Sequence, residues 1–383
     1  MDFVDGGKKG RVSLMIATGL VKTSYPKEDI TFLLKDVTGE FTESTLEERE
    51  KAVRTGAHYA ERLPMEYQPS KEYTDLYHAA VEKTKERLSY LVGLVAHRIL
   101  LNAETEDIVL VSLARAGSPV GILIHRYAEQ ILGLHWPHYS VSILRDKGID
   151  ERAIRTIREA HPTSRIQFVD GWTGKGAIQK ELTKAVKLLN DREKWDLHDD
   201  MAVLSDPGAC AVLFGTREDF LIPSACLNST VSGLVSRTIL NDRFIGEDDF
   251  HGAKFYGELI DQDLSNNFVD EVTSCFPATA EAVRKAAFSS PVTVERTWQG
   301  MKEVEEIGQK MYSETDYHLI KPGVGETTRV LLRRSPWKIL VKSLDHPDVE
   351  HLLILAKEKD VPVEVVPELF YRSIGLIKSG KEI

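Results

Sequence analysis

Apolar positions recur along the chain with two different periods, and the change of period divides it. From Tyr73 to Leu100, "YTDLYHAAVEKTKERLSYLVGLVAHRIL" has helical spacing and predicts one long helix. Upstream, "STLEEREKAVRTGAHYAERL" is also helical, with Ser44 and Glu47 at capping-box separation. Pro64 and Pro69 then break it. Before it, "SYPKEDITFLLKDV" reads as an extended piece and a short turn. Further on, short apolar runs alternate with amphipathic ones. "DIVLVSLA", "HYSVSIL", "RIQFVD", "MAVLSD" and "DFLIPSA" read as strands. "GSPVGILIHRYAEQIL", "AIRTIREAH" and "AIQKELTKAVKLLN" read as helices. This alternation predicts an α/β fold: a mainly parallel sheet with helices on both faces and ligands at the carboxyl ends of its strands. A helix in "SPVTVERTWQGMKEVEEIGQKMY" leads to a last unit that reads helix, strand, helix, strand. The expected organisation is a helical extension or hood over 1–75, an α/β domain over 76–300 and a small α/β domain over 315–383.

Composition narrows the class. A chain of 383 residues with 42% hydrophobic residues can fill more than one core and is not a disordered protein. The net charge of -10 argues against a whole-surface nucleic-acid binder and leaves room for a local basic patch. Cys210, Cys226 and Cys275 form neither a disulfide framework nor a paired metal motif, so a reducing cytoplasm is expected. The apolar stretch "VSLMIATGLV" is too short to span a bilayer, and no membrane partner is expected.

Chemistry concentrates in three loops. "FVDGWTGKGAI" fails the nucleotide-triphosphate loop on spacing, because Gly171 stands only three residues before Gly174 and Gly176 follows Lys175. It fails the dinucleotide fingerprint because Gln179 stands where a third glycine is needed. A strand ending in Asp170, followed by Thr173, Gly174, Lys175 and Gly176 at a helix start, fits a monophosphate cradle. The order strand, acid, Thr/Gly-rich loop resembles the phosphoribosyl-pyrophosphate signature of phosphoribosyltransferases. The resemblance makes "SLARAGSPVG" the diphosphate loop, with Arg115, Ala116, Gly117 and Ser118, and "SILRDKGID" a mobile closing loop, with Arg145 and Lys147. It implies a type I phosphoribosyltransferase-like sheet. Gly171 departs from the pattern, which carries a second acid there.

Over residues 24–300 the chain resembles the bacterial phosphoribosyltransferase-like proteins of tellurite-resistance and stress gene clusters, a family also labelled cysteine protease StiP. The resemblance implies an enzyme that transfers ribose phosphate from a phosphoribosyl diphosphate-type donor to an unknown acceptor. Mg²⁺ would be held through the diphosphate, with no protein metal ligands assigned. A small-molecule donor and a second copy in a homodimer are the partners implied. The protease label points instead to Cys226, just past "DFLIPSA" and before "VSGLVSRTIL", where a helix N-terminus would lower its pKa and His58 or His251 could be the base. A cysteine hydrolase is therefore the second expectation. A non-catalytic nucleotide and RNA sensor is the third. "GAHYAERLPMEYQPSKEY" could hood the acceptor site or merely join two helices.

Residues 315–380 resemble the L7Ae and Pelota type of RNA-binding domain. The resemblance puts Gly325, Glu326 and Thr327 at the RNA-facing turn, with Arg333 and Arg334 on the phosphates, although Gly325 replaces the usual Asn.

Overall fold

The computed structural model describes residues 19–378 apart from 41–42, 45–57, 64, 67, 290–291 and 313–316. The expected helix beginning at Ser44, with its capping partner Glu47, lies mostly outside the described residues, as does most of "VSLMIATGLV".

Two short strands, β1 (Thr31–Phe32) and β2 (Lys35–Asp36), precede the long helix α1 (Lys71–Ala103). Then come β3 (Ile108–Ala114), α2 (Gly117–Tyr127), β4 (His138–Leu144), β5 (Gly148–Ile149) and α3 (Glu151–Ala160). They are followed by β6 (Arg165–Trp172), α4 (Ala177–Glu193), β7 (Ala202–Ser205) and β8 (Leu213–Thr216). All of these strands except β2 form one sheet in the order β1-β4-β3-β6-β7-β8, every neighbouring pair parallel, with β5 pairing antiparallel with β4. The fold is thus mixed α/β around a mostly parallel sheet.

The period-two pattern of the strands sorts them into two cores. On β3, Ile108 and Leu110 join the core under α1 and α2, while Val109, Val111 and Leu113 join the core under α3 and α4. Phe168 and Val169 of β6 divide the same way. Gln167, a polar residue inside that apolar run, is fully buried because its amide nitrogen donates to the carbonyls of Phe168 and Asp200.

Two expectations fail between residues 213 and 240. "DFLIPSA" is not a strand; the sheet edge is β8, and Pro223–Ala225 make a single 3-10 turn. "VSGLVSRTIL" is not a helix: Gly233 and Leu234 have positive φ, and Val235 and Ile239 make isolated bridges to Phe255 and Gly252. Left-handed backbone at two successive positions ends any helix there. Beyond β9 (Gly252–Ala253), which pairs with β2, two helices were not legible in the pattern: α5 (Ser265–Ser274) and α6 (Phe276–Ala287), packed against α1.

The last unit begins with α7 (Gln299–Met311), then β10 (Ile320–Pro322), α8 (Val324–Arg333), β11 (Pro336–Val341), α9 (Glu350–Glu358), β12 (Val363–Val365) and β13 (Ser373–Ile377). Its sheet runs β10-β13-β11-β12. Val324, Leu331, Ile339 and Leu352 belong to the same core cluster as α1, so this unit packs on the central sheet rather than standing apart. No helix among the described residues is long and apolar enough to cross a membrane.

Candidate functional site

The carboxyl ends of β3, β4 and β6 open into a cleft that the C-terminal unit covers with β10 and α8. Two cavities make it up. The larger, about 720 Å³, is bounded by Arg115, Arg237, Arg333 and Arg334, by Leu227 and Asn228, and by Glu66 and Tyr73 from the segment predicted to be a hood. The smaller, about 210 Å³, is bounded by Arg145, Asp170, Lys175, Lys321 and Glu326. Asp170 and Arg329 border both.

Asp170 lies in the buried part of β6, near its carboxyl end, and its Oδ1 accepts the N–H of Gly171. Burial lifts its carboxyl to about 7 against that hydrogen bond, helped by the charge of Glu326. Position 171 has little room for an acid: a Cβ there would lie 3.3 Å from the carbonyl oxygen of Ala116. The loop after it is a seam more than an open cradle. Thr173 donates to Asp206 Oδ1 (2.7 Å) and accepts from Gly208 N–H (3.0 Å). The carbonyl of Gly174 accepts from the Tyr371 hydroxyl (3.1 Å), and Lys175 Nζ donates to the carbonyl of Tyr317 (2.6 Å). Gly176, at φ +81°, starts α4, where a side chain would strike Trp298.

The loop after β3 splits. Arg115 reaches the larger cavity and donates to the carbonyl of Val235 (2.9 Å). Ala116 borders both cavities. Gly117 is there for packing: a Cβ would sit 2.5 Å from the carbonyl oxygen of Val169. Ser118 faces away, buried against Ser140 Oγ at 2.8 Å. The expected closing loop is a tight hairpin, because β5 folds back on β4 through Asp146 at positive φ. Arg145 enters the smaller cavity, while Lys147 is exposed outside it.

Cys226 is fully buried, and without a helix after it no helix dipole acts on its thiol. Burial pushes that thiol up to about 12, opposed by the Arg333 charge. Arg333 donates to the carbonyl of Cys226 and to Asn228 Oδ1. The two expected bases are engaged elsewhere: His58 Nδ1 accepts from Ala60 N–H, and His251 Nδ1 pairs with Ser142 Oγ. Cys210 borders the smaller cavity, and burial with the Asp206 charge pushes it up to about 12 as well.

The expected RNA-facing residues mostly turn inward. Gly325 packs on Ala225, Thr327 is buried against Ser373 Oγ, and Glu326 pairs with Arg329 at 3.0 Å. Arg333 and Arg334 border the larger cavity. The reason is that α8 lies between its own sheet and the central domain.

Three positions carry the seam and were not legible as site residues. Asp206 is fully buried and accepts from Thr173 and from the N–H groups of Cys210 and Ala211. Asp219 accepts from the N–H groups of Val324 and Arg372. Lys321 reaches the cleft from the last unit. The Asp at the end of "VLSD" was the one available signal, since it follows a strand.

Residues 23–273 match the family described as "Tellurite-like stress resistance cysteine protease StiP", and residues 298–379 match the "PELOTA RNA binding domain". The chain is also similar to "Cysteine protease StiP" of Acinetobacter baylyi (strain ATCC 33305 / BD413 / ADP1), with 35% identity over 370 residues and 94% of each chain covered. These matches overturn the expectation of phosphoribosyl transfer: the family and the relative are named for a cysteine protease, and the donor and its magnesium are left without support. Among the described residues no group of three or more His, Cys, Asp or Glu is placed to hold a metal. With a family match over 251 residues and a full-length relative, the chain belongs to the StiP family.

Proposed function

We propose that this chain is a cysteine-dependent hydrolase, with Cys226 as its nucleophile and the cleft between the central sheet and the C-terminal unit as its substrate site. The relative's name, "Cysteine protease StiP", supports the chemistry. The observation that carries the assignment is Arg333, which crosses from α8 to hold the Cys226 carbonyl and Asn228 in the cleft wall. In this closed state the thiol is protonated and covered. Substrate displaces Arg333 from its two acceptors, the thiol opens to the cleft, and the guanidinium beside it favours the thiolate. The setting we assign is the stress resistance in the family's description. Hydrolysis of a pool of fluorogenic peptides by the full chain tests this. Cys226→Ser should abolish turnover while Cys210→Ser and Cys275→Ser keep it; turnover surviving in Cys226→Ser removes the assignment.

A second reading, a non-catalytic receptor for nucleotide and RNA, is favoured by the burial of Cys226 and the match of the last unit. It expects a gel shift with structured RNA, lost on Arg334→Gln, and no peptide turnover in wild type. The strand–loop–helix order also supports a phosphoribosyltransferase-like sheet in shape alone, and the division at 75, 300 and 315 as folding units. Limited proteolysis that cuts first outside the predicted junctions would discard that division. A cytoplasmic setting suits the three free cysteines.

A further inference from the structure

The cleft concentrates positive charge in an otherwise acidic chain. Arg115, Arg237, Arg333 and Arg334 border the larger cavity, and Arg145, Lys175 and Lys321 the smaller, with Arg329 between them. The carboxylates on the same walls are Glu66, Asp170 and Glu326. Several of these cations bond to neutral oxygens rather than to carboxylates. Arg115 holds the Val235 carbonyl, Lys175 the Tyr317 carbonyl, and Arg333 the Cys226 carbonyl and Asn228. Arg329 pairs with Glu326.

The like charges oppose one another. Burial pushes Lys175 down to about 7, with Lys321 and Arg145 adding to the effect. Burial also pushes Lys321 down to about 8, where Arg334, Arg145 and Arg329 outweigh part of the relief from Glu326. A polyanion would relieve this repulsion, so its binding draws on energy already stored in the fold. The rest of the lining is mixed: apolar Leu113, Ile143, Leu227 and Leu332, with the Tyr73 ring on one side, and neutral polar Ser44, Gln68, Ser70, Asn228 and Thr230. Cavities of this size hold small molecules, and charge beside an apolar, aromatic wall suits phosphates attached to a flat ring.

We propose that the cleft binds a nucleoside polyphosphate, and that the C-terminal unit supplies part of its phosphate site through Arg329 and Arg333. The unit matched as RNA-binding is thereby one wall of a small-molecule site. The proposal shares the cleft with the hydrolase assignment but does not depend on a reactive thiol.

Titration calorimetry on the full chain tests it, with ATP, inorganic tripolyphosphate and a short single-stranded oligoribonucleotide as probes. ATP should bind, and tripolyphosphate more weakly. Arg115→Gln in the central domain and Arg329→Gln in the last unit should each weaken ATP by roughly tenfold or more, with thermal melts confirming folded protein. Arg192→Gln, on the outer face of α4, should match wild type. The proposal is overturned if neither ATP nor tripolyphosphate binds, if Arg329→Gln binds ATP like wild type, or if the oligoribonucleotide binds more tightly than ATP. Cys226→Ser should bind ATP normally even when it hydrolyses nothing, so loss of peptide turnover and loss of ATP binding report on different claims.

Discussion

The carboxyl of Asp170 makes the cleft sensitive to pH, and the size of the effect follows from its burial. Its ordinary value is 3.8, and in the folded chain it is raised to about 7. The cause is loss of water around the charged form, only partly offset by the N–H of Gly171. Below about pH 4 the group is protonated in both folded and unfolded chains and costs nothing. As pH rises from about 4, the unfolded carboxyl ionises while the folded one holds its proton, so stability falls. The loss is complete above about pH 7 and comes to about 4 kcal/mol at most. Asp170→Asn keeps the acceptor for Gly171 and removes the charge. The variant should match wild type near pH 4 and exceed it increasingly up to about pH 7. Urea unfolding of both proteins across that range measures the gap, and effects of Asp206 and Asp219, also raised by burial, cancel in the difference. A gap that does not change with pH, or a variant less stable throughout, would refute the claim that burial governs this carboxyl.

Three other substitutions probe the seam and the sheet. Arg333→Gln removes the bridge over Cys226, so alkylation of Cys226 followed by mass spectrometry should speed up about tenfold through cheaper local opening; an unchanged rate would dismiss Arg333 as the latch. Asp219→Ala leaves the N–H groups of Val324 and Arg372 without their acceptor, which should cost about 3 kcal/mol in urea unfolding and expose β10 and α8 to proteolysis. Gly117→Ala places a Cβ against the Val169 carbonyl and should cost about 3 kcal/mol by the same measurement; a neutral result would mean that α2 shifts freely on β6.

The one-dimensional pattern carried the elements whose burial is periodic. Strands β3, β4 and β6, with helices α1, α3 and α4, were legible because each buries one face, or alternates between two cores, at its own period. The same logic gave the parallel sheet and placed Arg115, Arg145 and Asp170 at its carboxyl end. It failed from Asp219 to Leu240, where apolar residues are buried by irregular backbone and periodicity has no meaning. "DFLIPSA" is apolar because it lies under α8, and the glycine and positive φ at Gly233 and Leu234 unmake the helix that Cys226 was expected to precede.

What only the tertiary structure decided is who shares the cleft. Spacing alone fits "FVDGWTGKGAI" to a phosphate cradle, but the folded loop gives its threonine to Asp206, its lysine to Tyr317 and a carbonyl to Tyr371. The resemblance to an RNA-binding domain makes α8 an RNA-facing helix, but its arginines turn toward the central domain. Apart from the threonine contact, which lies within the central domain, these outcomes depend on how two units pack, and such contacts join residues more than a hundred positions apart that leave no local period. The sequence by itself determined an α/β chain with a chemically loaded strand edge; the packing of α8 onto that edge made it a cationic pocket with Cys226 sealed behind its wall.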